Sequence, residues 1–300
     1  RAEARVLARK AIELDPKLGD AYAAMGFIYL QDKRSEPFYR KAAELSPQRA
    51  DYHRWLATSL SQRSAFAESL VEYRRAKEID PLWYINNEHY AGALIFVGQY
   101  DEARRVAQRF LRLSTDERAK LLLLRGMANS ESRAFDNYRY SKLLFDRLPD
   151  ERNNRFNYAS GLAGLGEHRQ AAALMSHEAL SKALLSGDWA AAAREAAAMG
   201  RHYWDRSRLW NSADLLVRSG HGDVLVRLYD LSRPLLKSGE VDIDLVALPA
   251  TVLALRNAGR VQDARELLAH FARTNGMLPV KGLGGTIKRI NLAQIAALSG

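Results

Sequence analysis

Pro47, Pro81, Thr115 and Pro149 stand 34 residues apart, each at the close of an apolar-patterned stretch. A fixed period of that length marks stacked helix–turn–helix units. One such unit cannot cover its own apolar face, so units must pile up in a row. The period therefore predicts an all-α, right-handed αα superhelical solenoid of helix hairpins rather than a closed globule.

The segment at 84–114 displays one unit. Tyr90, Ala91, Leu94, Ile95 and Val97 recur at helical spacing, and Gly98 is free to take a positive φ and end that helix. Asp101 and Glu102 then favour the N-terminal dipole of a second helix, with Ala103, Val106, Ala107, Phe110 and Leu111 as its stripe. One period earlier, Ala57 lies under Ala91 and Leu60 under Leu94, and Asp80-Pro81 stops the helix. The unit at 21–47 is three residues shorter, a loss assigned to its inter-helix turn. Residues 4–16 read as a second helix whose first helix is absent. Gly166 repeats Gly98 after two periods.

Small residues let helices cross closely, and large ones such as Tyr22, Met25, Leu56 and Tyr90 fill the space to the next unit. The small positions are Gly26, Ala57 and Ala91 on first helices, and Ala103, Ala171, Ala11, Ala42 and Ala76 on second helices. With Tyr39, Tyr73 and the unit-closing prolines Pro16, Pro47, Pro81 and Pro149, this pattern resembles the tetratricopeptide repeat family. Arg125 and Asn137 depart from it at small positions. His53 and Asn87 stand where a large aromatic is expected.

The resemblance implies a non-enzymatic scaffold that binds a protein or peptide segment in a concave groove lined by first helices. Groove positions in the successive units are Asp20, Ala23 and Phe27; Asp51, Arg54, Thr58 and Ser61; Glu88, Gly92 and Ile95; Leu122, Gly126 and Asn129; and Asn153, Phe156 and Ser160. Some relatives clamp an acidic C-terminus with Lys, Asn and Arg. Here those places hold Ala23, Trp55, Thr58, His89 and Gly92, which disfavours that subfamily. The segments at 80–103 and 253–300 also look like the C-terminal repeat regions of bacterial regulators. In those, a winged-helix or enzymatic domain precedes the repeats. Periplasmic scaffolds of polysaccharide export use similar irregular arrays.

After Gly166 the spacing to Gly220 exceeds one period by the length of a helix and a turn. The extra helix is placed at 188–200, with Asp188 as its N-cap. Residues 1–186 are thus expected to form the repeat solenoid, starting in the second helix of a repeat. Residues 187–300 are expected to add one helix and then diverged repeats continuous with the first part. Helices are predicted at 203–218, 222–237, 243–258, 261–274 and 286–298, with no strand.

The net charge of +10 allows nucleic acid as an alternative partner, but 45 basic and 35 acidic residues interleave along the helices. The mix of Tyr203, Trp204, Arg206, Arg208 and Trp210 does not share one helical face. No apolar run reaches membrane-spanning length, so no insertion is expected. The absence of cysteine excludes disulfides and thiolate metal sites, and fits cytoplasm and periplasm alike.

No catalytic, metal or cofactor site is predicted. The seven histidines form no short ligand pair, although His53 and His89 could meet across the groove. The glycines of "KGLGGTIKR" at 281–289 lack P-loop order and read as a flexible loop. Asp150-Glu151 and Asp242 with Asp244 read as helix caps.

Overall fold

The computed structural model describes residues 2–29, 34–131, 133–175, 179–198, 213–218, 220–237 and 247–299. Every regular element among them is helical, as the periodicity predicts. The chain divides into two compact units, the first spanning Arg1–Glu131 and the second most of the remainder.

The first unit runs α1 (Ala2–Leu14), α2 (Gly19–Ile28), α3 (Ser35–Leu45), α4 (Ala50–Gln62), α5 (Phe66–Ile79), α6 (Tyr84–Phe96), α7 (Tyr100–Leu113) and α8 (Glu117–Ser130). Each helix packs on its neighbour in sequence, and α6 also packs on α4 and α8. This is hairpin stacking: the first helix of one repeat touches the first helix of the next. The small positions sit where the helices cross. Ala42, Ala57, Ala76, Ala91 and Ala103 are fully buried. At Gly26 a methyl group would lie 2.5 Å from the Tyr39 ring, so only glycine admits that ring. The stripe of α7 is buried through Ala103, Val106, Ala107 and Phe110. Gly98 takes φ +86°, as its place after α6 requires. The turn of the shortened repeat lies largely outside the described residues. Helices α2 and α3 have 10 and 11 residues, where α4 and α5 have 13 and 14.

One hydrogen bond recurs at the repeat period. The residue six positions after each closing proline donates to that proline's carbonyl: Tyr22 Oη to Pro16 (3.1 Å), Asn87 Nδ2 to Pro81 (2.9 Å) and Arg155 Nη2 to Pro149 (3.1 Å). His53 Nε2 lies 3.0 Å from the Pro47 carbonyl in the same register. A proline following a helix leaves a turn carbonyl that no helical N–H reaches. Four chemically different donors supply the missing partner. The repeat closed by Thr115 has Leu121 at this place, which has no donor.

The second unit runs α9 (Ala134–Arg147), α10 (Arg152–Gly164), α11 (His168–Leu174), α12 (Ala179–Ser186), α13 (Trp189–Ala198), α14 (Ala213–Arg218), α15 (Gly222–Lys237), α16 (Leu248–Asn257), α17 (Val261–Gly276) and α18 (Gly282–Ser299). Asp188 caps the extra helix α13 through the Ala191 amide at 3.0 Å, as its sequence implies. Helices α15, α16 and α17 occupy the predicted stretches. Residues 203–212, including Tyr203, Trp204, Arg206, Arg208 and Trp210, lie outside the described residues, as do 243–246 with Asp244, and Asp242.

The expectation of a flexible loop at 281–289 is overturned. Helix α18 starts at Gly282, and Gly284 and Gly285 are buried in its first turn. A methyl group on Gly285 would stand 2.4 Å from the Val280 carbonyl oxygen, so the glycines serve close backbone approach.

Candidate functional site

In the first unit, α2, α4 and the start of α6 carry a chain of aromatic and basic contacts. Phe27 is 56% exposed and meets the Trp55 ring edge-on, with centroids 6.2 Å apart. The Arg54 guanidinium lies 5.6 Å from the Trp55 centroid and 5.0 Å from that of Trp83. Such contacts draw the cation to ring faces. Arg54 Nη2 donates to Asp51 at 3.3 Å, while its buried Nε has no partner among the described residues. Asp20, at the near end, accepts from the Tyr52 hydroxyl and from Arg49 Nη1 at 3.5 Å. Burial and the Asp20 carboxylate push the Tyr52 phenol up to about 12.

The face continues into hydroxyls. Thr58 Oγ1 donates to the Arg54 carbonyl at 2.9 Å and lies 3.0 Å from the Tyr73 hydroxyl. Ser61 and Ser69 hydroxyls are 2.6 Å apart. His89 packs edge-on against Tyr73, with centroids 5.7 Å apart. Burial, with the Arg54 charge adding to it, holds His89 down to about 4, so its imidazole is neutral near pH 7. Beside it, burial pushes the Glu88 carboxyl up, and Arg125 pulls partly the other way. Glu88 lies over Gly126, where any Cβ would collide with it.

The structure thus brings together Asp20, Phe27, Asp51, Arg54, Thr58 and Ser61. Glu88 is mostly buried rather than open to the face. Leu122, Ala23 and Ile95 are buried in the core and present no surface. Asn129 is exposed on α8. Asn153, Phe156 and Ser160 belong to α10 of the second unit, where Asn153 is exposed and Phe156 packs against the core of α10–α12. Helix phase alone gives Trp83 no place on this face, because it precedes α6 instead of lying on a helix stripe.

His53 and His89 do not form a pair. His53 Nδ1 is bound to Glu72 at 2.6 Å and His89 faces Tyr73. Among the described residues, no group of three His, Cys, Asp or Glu side chains could hold a metal ion, and no helix is long and apolar enough to cross a membrane.

The helical-repeat fold has a counterpart among solved structures. Human IFIT1, as a dimer with m7Gppp-AAAA, aligns at a TM-score of 0.50 with 14% identity, over 91% of this chain and 67% of its own. The fold is tetratricopeptide-like. YrrB, a tetratricopeptide protein with an unusual peptide-binding site, aligns at 0.35 with 16% identity, over 63% of this chain and 96% of its own. Pseudomonas aeruginosa pilF aligns at 0.39 with 22% identity, over 62% and 91% respectively. Of these, IFIT1 supports the shared fold, and at such identity it supports nothing finer. No protein-family model matches the chain, and no curated protein matches it.

Proposed function

We propose that the chain is a protein-interaction scaffold that receives an extended peptide or a partner helix on the face of α2, α4 and α6. The observation that carries this reading is the contact chain Phe27–Trp55–Arg54–Trp83, which crosses successive repeats with aromatic surface left open at Phe27. Binding energy at interfaces concentrates on aromatic and arginine side chains of this kind. A scaffold of repeats fits a role inside a larger bacterial regulatory or assembly protein, the context its sequence resemblance implies.

A displayed random-peptide library selected on the purified protein tests it. Binding of the enriched peptides should fall at least tenfold in Phe27→Ala/Arg54→Glu and persist in Arg104→Glu, an exposed change on α7. Unaltered binding in the double variant removes this face from the function. Phe156 is unsuited to such a test, since its ring is packed and its loss would report on stability.

A second reading is binding of single-stranded nucleic acid, favoured by the net charge of +10 and by the fold shared with IFIT1, which is solved with m7Gppp-AAAA. Its affinity for single-stranded RNA should drop steeply as salt rises. No retention of RNA at low salt eliminates it.

A further inference from the structure

A cavity of about 390 Å³ lies between α4, α5 and α6, within the size range of small-ligand sites. Phe66 and Phe96, with ring centroids 5.1 Å apart, line it together with Leu70 and Val97. Its polar lining is Ser61, Gln62, Ser69, Tyr73 and His89, and among the described residues no lysine, arginine, aspartate or glutamate lines it.

The hydroxyl protons on this wall can be placed. A carbonyl oxygen only accepts, so Thr58 spends its proton on the Arg54 carbonyl and Ser69 spends its own on Ala57. Tyr73 therefore donates to Thr58, and Ser61 donates to Ser69 or to the Tyr73 oxygen, which it also reaches. The Tyr73 and Ser61 oxygens keep only accepting capacity. The neutral His89 ring has one accepting nitrogen, and His89 has no hydrogen-bond partner among the described residues. The lining is an apolar box whose hydroxyls seek a donor.

We propose that this cavity takes a tryptophan or tyrosine side chain of a bound peptide, its ring laid against the Phe66–Phe96 pair and the indole N–H or phenol O–H donating to the His89–Tyr73–Ser61 wall. These two residues join an aromatic body to a polar donor. Phenylalanine brings no donor and leaves the wall unpaired. A carboxylate would find only the His89 and Gln62 N–H groups as donors, and no cation to offset its lost hydration. A nucleotide would bring phosphate to a lining without a cation. The proposal rests on the scaffold reading and names the side chain it selects.

The test titrates the purified protein with the blocked tripeptides Gly-Trp-Gly, Gly-Tyr-Gly and Gly-Phe-Gly, and with AMP, while the His89 ring signals are followed by NMR. The tryptophan and tyrosine peptides should shift those signals saturably, and the phenylalanine peptide should bind about five- to tenfold more weakly, the worth of one hydrogen bond. Ala93→Phe should fill the cavity and abolish binding. His89→Phe keeps a ring there, removes one of the three acceptors and should narrow the preference for a donor, so the proposal stays testable if Ala93→Phe folds poorly. Equal binding of all three peptides overturns donor recognition, and preferred binding of AMP overturns the choice of peptide. Absence of any shift removes the cavity as a site. In that event, library peptides that still depend on Arg54 leave the scaffold reading intact, whereas their loss as well removes both.

Discussion

Asn87 reaches back six residues to hold the Pro81 carbonyl at 2.9 Å, and the same bond is made by Tyr22 at Pro16 and Arg155 at Pro149. Position, not residue type, is what repeats. Asn87→Leu should cost about 1 kcal/mol, because a partly buried carbonyl loses its donor. Arg155→Met should cost less, since the Pro149 carbonyl is exposed and water can replace the guanidinium. Urea denaturation of both variants checks the order. Equal and negligible effects would show the bond to be incidental.

His53 extends this device into a buried, hydrogen-bonded His–Glu pair. Its Nε2 faces the Pro47 carbonyl and must donate, while its Nδ1 lies 2.6 Å from Glu72, which also binds Arg75 at 3.1 Å. Breaking a buried pair strands the survivor, so His53→Leu and Glu72→Leu should each cost about 3 kcal/mol. The double variant should lose much less than the two losses combined, because both buried polar groups go together. A double-mutant cycle measures this. Strict additivity would contradict the pairing.

Much of this fold is legible in the sequence, for identifiable reasons. The 34-residue period, the small residues at crossings and Gly98 act through backbone geometry and burial, which leave periodic traces. His53 and Asn87 stand out only as departures from an expected aromatic. Their role depends on a carbonyl six residues back, and four different donors perform it, so no residue-type pattern betrays it. The face is half legible. Phe27, Arg54 and Thr58 follow from helix phase, whereas burial of Leu122 and Glu88 depends on how α6 and α8 meet. The glycines at 282–285 mislead because glycine favours loops, and only the nearness of Val280 shows the close approach they permit.

Glycine at a crossing and glycine on an open helix surface should respond in opposite directions. Gly26→Ala gains helix propensity of about 1 kcal/mol but drives a methyl group to 2.5 Å from Tyr39, a fully buried ring. Overpacking should win, for a net loss of about 1–2 kcal/mol. A methyl group added at Gly164, in α10, would meet nothing within 4 Å, so Gly164→Ala should stabilise by about 0.5 kcal/mol. Thermal unfolding of the two variants decides it. A stabilised Gly26→Ala protein would mean that Tyr39 can move aside.

Acid should destabilise the first unit through His89. An unfolded histidine takes up its proton near 6.5, while the folded His89 resists until about 4. Between those values the unfolded chain binds more protons, so lowering the pH favours unfolding. The contribution is whole above pH 6.5 and is lost on the way down to 4, by about 3 kcal/mol at most. Glu88 acts with the opposite sign. Its raised folded pKa makes the chain release a proton more readily when unfolded, so its contribution declines as pH rises through the carboxylate range. The His89→Phe protein should therefore lose less stability than the parent between pH 6.5 and 4.5, with all other acid-sensitive groups common to both. Arg54→Gln should raise the His89 pKa, read from its ring signals, because the Arg54 charge helps to keep the proton away. Parallel stability curves for parent and His89→Phe would show that this imidazole is free to protonate in the fold, and would place it outside the apolar wall.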